Sequence, residues 1–169
     1  MSKPFVAILM GSDSDLPVMQ NTIDVLKSFD IAFEVKVTSA HRTPAATHAY
    51  VSDAETRGCK VFICAAGLAA HLAGAVAGIT TRPIIGVPID CGPLNGQDAL
   101  LSTVMMPAGV PVATVAIGKA GAKNAAYLAA QILAVADDQL AARVAEDRAE
   151  NAKAVLAKDA ALQAKLASL

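Results

Sequence analysis

Phe5-Val6-Ala7-Ile8-Leu9-Met10, followed by Gly11-Ser12-Asp13-Ser14-Asp15 and then Leu16-Pro17, decides how the rest of the chain reads. Six consecutive apolar residues leave no polar face for water, so a strand made of them is buried on both sides. Glycine ends the run, and an Asp or Ser just ahead of a first-turn proline marks a helix start. Val18, Met19, Thr22, Ile23, Leu26 and Phe29 give that helix its inward face. The stretch is therefore a buried strand feeding directly into a helix.

The same alternation continues outward from it. Ile31 to Val37 is the second predicted strand, and Pro44 opens a helix over Ala45 to Arg57 that Gly58 closes. Lys60 to Ala65 is a third, buried strand, followed by a small-residue helix to about Ile79. Pro83 to Val87 and Val112 to Ile117 read as the fourth and fifth strands, separated by a Gly- and Pro-rich loop and a short helix near Asp98 to Met105. Ala120 to Leu133 is almost wholly apolar and is expected to be a buried helix. Strands without polar alternation, interleaved with helices, predict an α/β fold: a three-layer, doubly wound parallel sheet of about five strands, flavodoxin-like in its order.

Composition changes at Asp137, where charged residues and glutamine interleave with alanine around a sparse stripe of Leu140, Val144, Val155, Leu162 and Leu166. That pattern predicts a long amphipathic helix. No internal repeat or second domain is visible, so residues 1–136 are expected to form the α/β domain and 137–169 a helical extension of it. A helix this long cannot fold back along its whole length on so small a body, and part of it is expected to dock on a neighbouring subunit.

The chain has 169 residues, 54% of them hydrophobic and only 17% charged, which leaves spare apolar surface and predicts a homo-oligomer. A net charge of -1 and 4% aromatic residues offer neither a basic field nor a stacking platform, so nucleic acid is not an expected partner. Cys59, Cys64 and Cys91 are odd in number and lack paired spacing, and are read as reduced, mostly buried thiols of a cytoplasmic protein. The apolar run near the N-terminus is too short for a signal segment, and no run is long enough to span a membrane.

In an open parallel sheet, ligands bind beyond the carboxyl ends of the strands, where the strand order reverses. Ser12 and Asp15 follow the first strand, Ser39, His41 and Arg42 the second, and His71 the third, so strands ordered two, one, three would bring all three loops into one crevice. Ser12 and the free amides of a helix start suit a phosphate, though plain helix capping explains Ser12 as well. Asp15 can accept bonds from ribose hydroxyls or serve as the cap. Arg42 offers a fork of donors to phosphate or carboxylate. His41 is the candidate acid and base, because an imidazole exchanges protons near neutrality. His71 begins a small-residue helix and can bond a ligand or simply pack, and His48 lies inside a predicted helix with no assigned role.

The first loop lacks Gly-x-Gly-x-x-Gly, and Gly118-Lys119-Ala120 lacks the upstream glycine and the hydroxyl of a P-loop. No serine sits in a nucleophile elbow, and the His and carboxylates are not spaced as a metal cluster. The residues alone therefore point to an enzyme without cofactor or metal, acting on a small phosphorylated ligand through one histidine.

Taken in order, Gly11-Ser12-Asp13-Ser14-Asp15, Ser39-Ala40-His41-Arg42-Thr43-Pro44, Ala69-Ala70-His71-Leu72, Gly86-Val87-Pro88 and Met106 through Gly118 resemble the bacterial PurE family, and the likeness runs on through Gly121-Ala122-Lys123-Asn124-Ala125. Each motif alone is weak, and the ordered set is specific. The resemblance implies a mutase of purine biosynthesis that moves a carboxylate of 5-(carboxyamino)imidazole ribonucleotide from the exocyclic nitrogen to ring carbon C4, without ATP, metal or cofactor. It also implies His41 as general acid and base, with Ser12, Asp15 and Arg42 on ribose and phosphate and Ser39 assisting. His71 and the Gly67 loop would line the base and carboxylate side, and the assembly would be an octamer with C-terminal segments crossing between subunits. The nearest rival is the related carboxylase that uses free carbon dioxide; the Ala-His-Leu loop favours the mutase. A non-catalytic phosphosugar-binding protein and a flavodoxin-like module are the alternatives outside that chemistry. The chain departs from the family's usual pattern at Leu68, where glycine is usual, at Ala73, where proline is, and at Met105, where glutamine is. A left-handed backbone at Leu68 would cost about 1–2 kcal/mol.

Overall fold

Phe5–Met10 (β1) is the hub of a parallel sheet in the computed structural model of this chain, which describes residues 4–168. None of its six residues is more than 7% exposed. After a 3₁₀ turn at Asp13–Asp15 come α1 (Leu16–Ser28), β2 (Ala32–Val37), α2 (Pro44–Arg57) and β3 (Cys59–Ala66). Then follow α3 (Leu72–Ala77), β4 (Ile84–Pro88), α4 (Gln97–Val104), β5 (Ala113–Thr114), α5 (Gly118–Ala134) and α6 (Asp138–Leu166). The strands pair in the order β2-β1-β3-β4-β5, every pair parallel. This is the predicted doubly wound, flavodoxin-like sheet.

Side chains alternate between the two faces of a strand. Ala7, Leu9, Phe62 and Cys64 meet Val51 and Ala54 of α2 and Leu72 and Val76 of α3 in one buried cluster. On the other face α1 and α5 are tied together: Thr22 donates its hydroxyl to the Ala122 carbonyl at 2.7 Å, and Phe29 meets Tyr127 edge-on at 5.7 Å. Helix α2 ends as expected at Gly58, whose φ of 105° a side chain would strain.

Strand β2 lies at the sheet edge, with Val35 and Val37 substantially exposed. Charge guards this edge. Arg57 donates to Glu34, at 2.9 Å for Nη2 to Oε2, and stacks over the Phe5 ring, while the Tyr50 hydroxyl also donates to Glu34. The Arg57 bonds hold the Glu34 carboxyl below its ordinary range. Cys59 and Cys64 are buried and Cys91 is partly buried. Burial pushes the Cys59 thiol up to about 11 and Cys64 higher still, so both stay protonated.

The fifth strand is much shorter than the expected Val112 to Ile117. Pro111 brings no amide to the ladder, and only Ala113 and Thr114 pair with Ile85 and Gly86 before a last bond from the Val115 amide to the Gly86 carbonyl at 3.1 Å. Residues 115–117 then leave the sheet to enter α5. The remaining predicted boundaries shift by a residue or two.

The chain divides after Ala130 into two compact units. In the second, Asp137 caps α6 by accepting from the Leu140 amide at 3.0 Å. Of the predicted stripe, Leu140 is buried, whereas Val155, Leu162 and Leu166 are each more than half exposed. Among the described residues no helix is long and apolar enough to cross a membrane.

Gly121 shows how tightly α5 closes on the segment before it. A Cβ there would stand 1.5 Å from the Ala116 carbonyl oxygen, and backbone on both sides leaves nothing that can move aside. Gly121→Ala is expected to cost about 3 kcal/mol, a fall of roughly 6–12 °C in Tm for a chain of this size. Circular dichroism melting checks it.

Candidate active site

Parallel strands present their carboxyl ends on one edge, and the order β2-β1-β3 sets three of those ends side by side. A crevice of about 340 Å³ opens there. Ser12 and Asp15 from the loop after β1, Ser39, His41 and Arg42 from the loop after β2, and Gly67 and His71 from the loop after β3 all line it. The volume lies within the range of small-ligand sites.

The first loop is a capping box. Ser12 accepts from the Ser14 amide at 3.3 Å and from the Ser14 hydroxyl at 2.8 Å, and its own amide donates to Asp15 Oδ2 at 3.1 Å. Ser12 and Asp15 thus do cap a helical turn, and they line the crevice as well. Asp15 is 7% exposed. Burial raises its carboxyl above the ordinary carboxylate range, nearby Asp13 adds to the rise, and the Ser12 amide opposes it.

The second loop is tied to the first by Arg42. Its Nη2 donates to the Gly11 carbonyl at 2.9 Å, while its backbone amide and Nε donate to Ser39 Oγ at 3.1 and 3.4 Å. Ser39 therefore orients Arg42 from below. Two of the five guanidinium protons are engaged in these bonds, and the others are left to meet an anion.

His41 and His71 meet across the crevice. Nε2 of His41 and Nδ1 of His71 share a hydrogen bond of 2.7 Å, with the rings nearly perpendicular at 86°. One nitrogen must donate and the other accept, so the pair keeps its bond while carrying at most one positive charge. Two imidazolium rings would set N–H against N–H. His41 thereby has a partner for either of its protonation states.

Two sets of residues were missed in the sequence. Thr38 and Thr47 are buried and share a hydrogen bond of 2.7 Å, while Thr43 accepts from the Ser39 amide at 3.0 Å. With the Thr43 amide bonded to the Ser39 carbonyl, these hydroxyls floor the loop that carries His41 and Arg42. The signal was present as three threonines at the loop start and along the first turns of α2, but their spacing alone does not show that they face inward. Cys91, from the loop after β4, also lines the crevice, so a fourth strand end contributes. Leu68 lies in the left-handed region with φ of 55°, as a residue at a glycine position would.

A family model described as AIR carboxylase matches residues 5–154. The chain belongs to that family. Among AIR carboxylase relatives, the N5-carboxyaminoimidazole ribonucleotide mutase of Mycobacterium tuberculosis is 53% identical over 161 residues, covering 95% of this chain and 91% of the relative. The mutase of the same description from Bacillus subtilis is 52% identical over 151 residues, covering 89% of this chain and 93% of the relative. A crystal structure of Treponema denticola PurE superposes with a TM-score of 0.84 at 31% identity, covering 93% of this chain and 97% of that one. The PurE resemblance carried by the motifs is thus matched across nearly the whole chain.

The Asp15 carboxyl yields a prediction about stability. With its pKa raised in the folded state, the protonated form contributes stability that is complete below the ordinary value of 3.8 and is lost as pH rises through the raised one. Asparagine keeps an acceptor for the Ser12 amide and carries no charge to bury. Asp15→Asn is therefore expected to melt higher than the native chain near neutrality, and the difference is expected to shrink towards zero in acid. Melting temperatures of both chains across an acid-to-neutral pH series test it.

Proposed function

We propose that the chain converts N5-carboxyaminoimidazole ribonucleotide to 4-carboxy-5-aminoimidazole ribonucleotide, an intramolecular carboxylate transfer within purine biosynthesis. The observation that carries this reading is that relatives described as that mutase share about half their residues with this chain over some nine-tenths of it.

In this proposal the phosphate end of the substrate lies between Arg42 and the amides of the Gly11–Asp15 turn, and Asp15 accepts from ribose hydroxyls. His41 starts protonated. It gives its proton to the exocyclic nitrogen as the carbon–nitrogen bond of the carbamate breaks, which releases carbon dioxide and leaves neutral aminoimidazole ribonucleotide. Ring carbon C4, electron-rich through the amino group, then attacks the carbon dioxide and forms the new carbon–carbon bond. The neutral His41 removes the C4 proton, so ring aromaticity and the protonated histidine are both restored. No net proton is consumed, and one imidazole serves both steps. His71, bonded to His41, supports the imidazolium as acceptor and lines the carboxylate side with Gly67.

Free carbon dioxide would be lost from an open site. A crevice that holds both fragments in reach of one another supplies the effective concentration that recombination needs. The same proposal places the enzyme in the cytoplasm as a homo-oligomer, supported by the exposed apolar side chains of Val155, Leu156, Leu162 and Leu166 on α6.

Substrate labelled with carbon-13 at its carboxylate, turned over in unlabelled bicarbonate, tests the reaction. Label retained at C4 is expected. Label lost to solvent would replace the mutase with the carboxylase that takes free carbon dioxide, and no turnover would leave a binding protein. His41→Asn is expected to lower kcat on the order of a thousandfold while product affinity, measured by calorimetry, stays close to that of the native chain.

A further inference from the structure

The loops after β3 and β4 run side by side at the crevice, and the backbone joins them only at their base. The Ile89 amide donates to the Ala66 carbonyl at 2.9 Å, continuing the ladder one step past the Ala66–Pro88 pair. Above that bond each loop lends a glycine to a side chain of the other. A Cβ on Gly67 would stand 2.1 Å from Cys91 Sγ, and a Cβ on Gly92 would stand 2.7 Å from Leu68 Cδ2. The sulfur of Cys91 and a methyl of Leu68 are thus packed where side chains at the two glycines would be.

Leu68 needs such a seat. Its φ of 55° is unfavourable for any residue with a Cβ, and with 52% of its surface exposed, burial in the core does not explain why a leucine is held there. Contact with Gly92, itself at φ of 75°, fixes the direction in which the left-handed turn throws the following residues. Those residues end at His71, whose Nδ1 meets His41.

We propose that Leu68 is a positioning residue: seated on Gly92, it locks the third loop so that His71 stays within bonding distance of His41. The kinetic part of this inference rests on the mutase reading, and the mechanical part does not. Glycine at position 68 keeps the left-handed turn without strain but leaves the seat empty, so the loop samples more directions. Leu68 also lines the crevice, so three roles are told apart: a merely structural leucine would change stability and leave kinetics alone, a leucine acting only as crevice wall would change KM without loosening the loop, and a positioning leucine changes kcat together with the exchange of the loop amides.

The test is a double-mutant cycle on the full-length chain. Leu68→Gly is expected to lower kcat/KM about five- to tenfold, chiefly through kcat, with Tm unmoved or raised. Leu68→Met, whose side chain still reaches the seat, is expected to recover most of that loss. Gly92→Ala strains its own φ of 75° in either background and crowds Leu68 only in the native one, so it is expected to lower kcat/KM more in the native than in the Leu68→Gly background. Native kcat/KM in Leu68→Gly, or strictly additive effects in the cycle, overturns the proposal. Hydrogen exchange of the amides of residues 67–71 in the substrate-free chain is the second readout. Exchange at least tenfold faster in Leu68→Gly supports the lock, and unchanged exchange overturns it. Should the native chain not turn over the mutase substrate, the functional reading fails, and the exchange comparison still decides the lock.

Discussion

Parallel pairing on both sides of β1 is the constraint from which the rest of the structure follows. A strand flanked by β2 and β3 with all three running one way must place three carboxyl ends together, and the loops that leave them have nowhere to go but into a common space. Parallel strands also require crossovers, which here are α1, α2, α3 and α4, and helices cover both faces of the sheet and keep water from the ladder. The complete burial of β1 is thus a cause of the crevice as much as a property of the core.

Within that space, side chains fix the loops to one another as well as to the sheet. Arg42 ties the second loop to the first through the Gly11 carbonyl, the two histidines tie the second to the third, and the exchange of glycine notches ties the third to the fourth. The ties run in a chain across the mouth. The loops are therefore held in relation to each other before any ligand arrives, which lowers the ordering entropy that binding must offset.

Much of this was legible in the sequence because the strongest signals coincide with the strongest physical requirements. An apolar run as short as Phe5–Met10, ended by glycine, reads as a buried strand, and polar residues that follow such strands sit at the carboxyl edge. Gly58 announced the end of α2 because no other residue tolerates its backbone so well. What the sequence did not disclose depends on distance between parts of the chain far apart in number. The length of β5 is set by where residues 115–117 must turn to let Gly121 approach Ala116, and the inward direction of Thr38 and Thr47 is set by the meeting of β2 with α2. Cys91 reads in the sequence only as a buried thiol, because its place in the crevice comes from the fourth strand's position beside the third, which no local pattern encodes.

The reciprocal notches also constrain the history of the chain. Positions 68 and 92 share one volume, so a side chain at either is admissible only while the other is small. A lineage starting from Leu68 and Gly92 that acquires a larger residue at 92 first passes through a clash. One that shortens 68 first passes through an empty seat and then meets only the strain of a side chain at the positive φ of position 92. The two substitutions are thereby ordered in time, and descendants should seldom carry bulk at both positions.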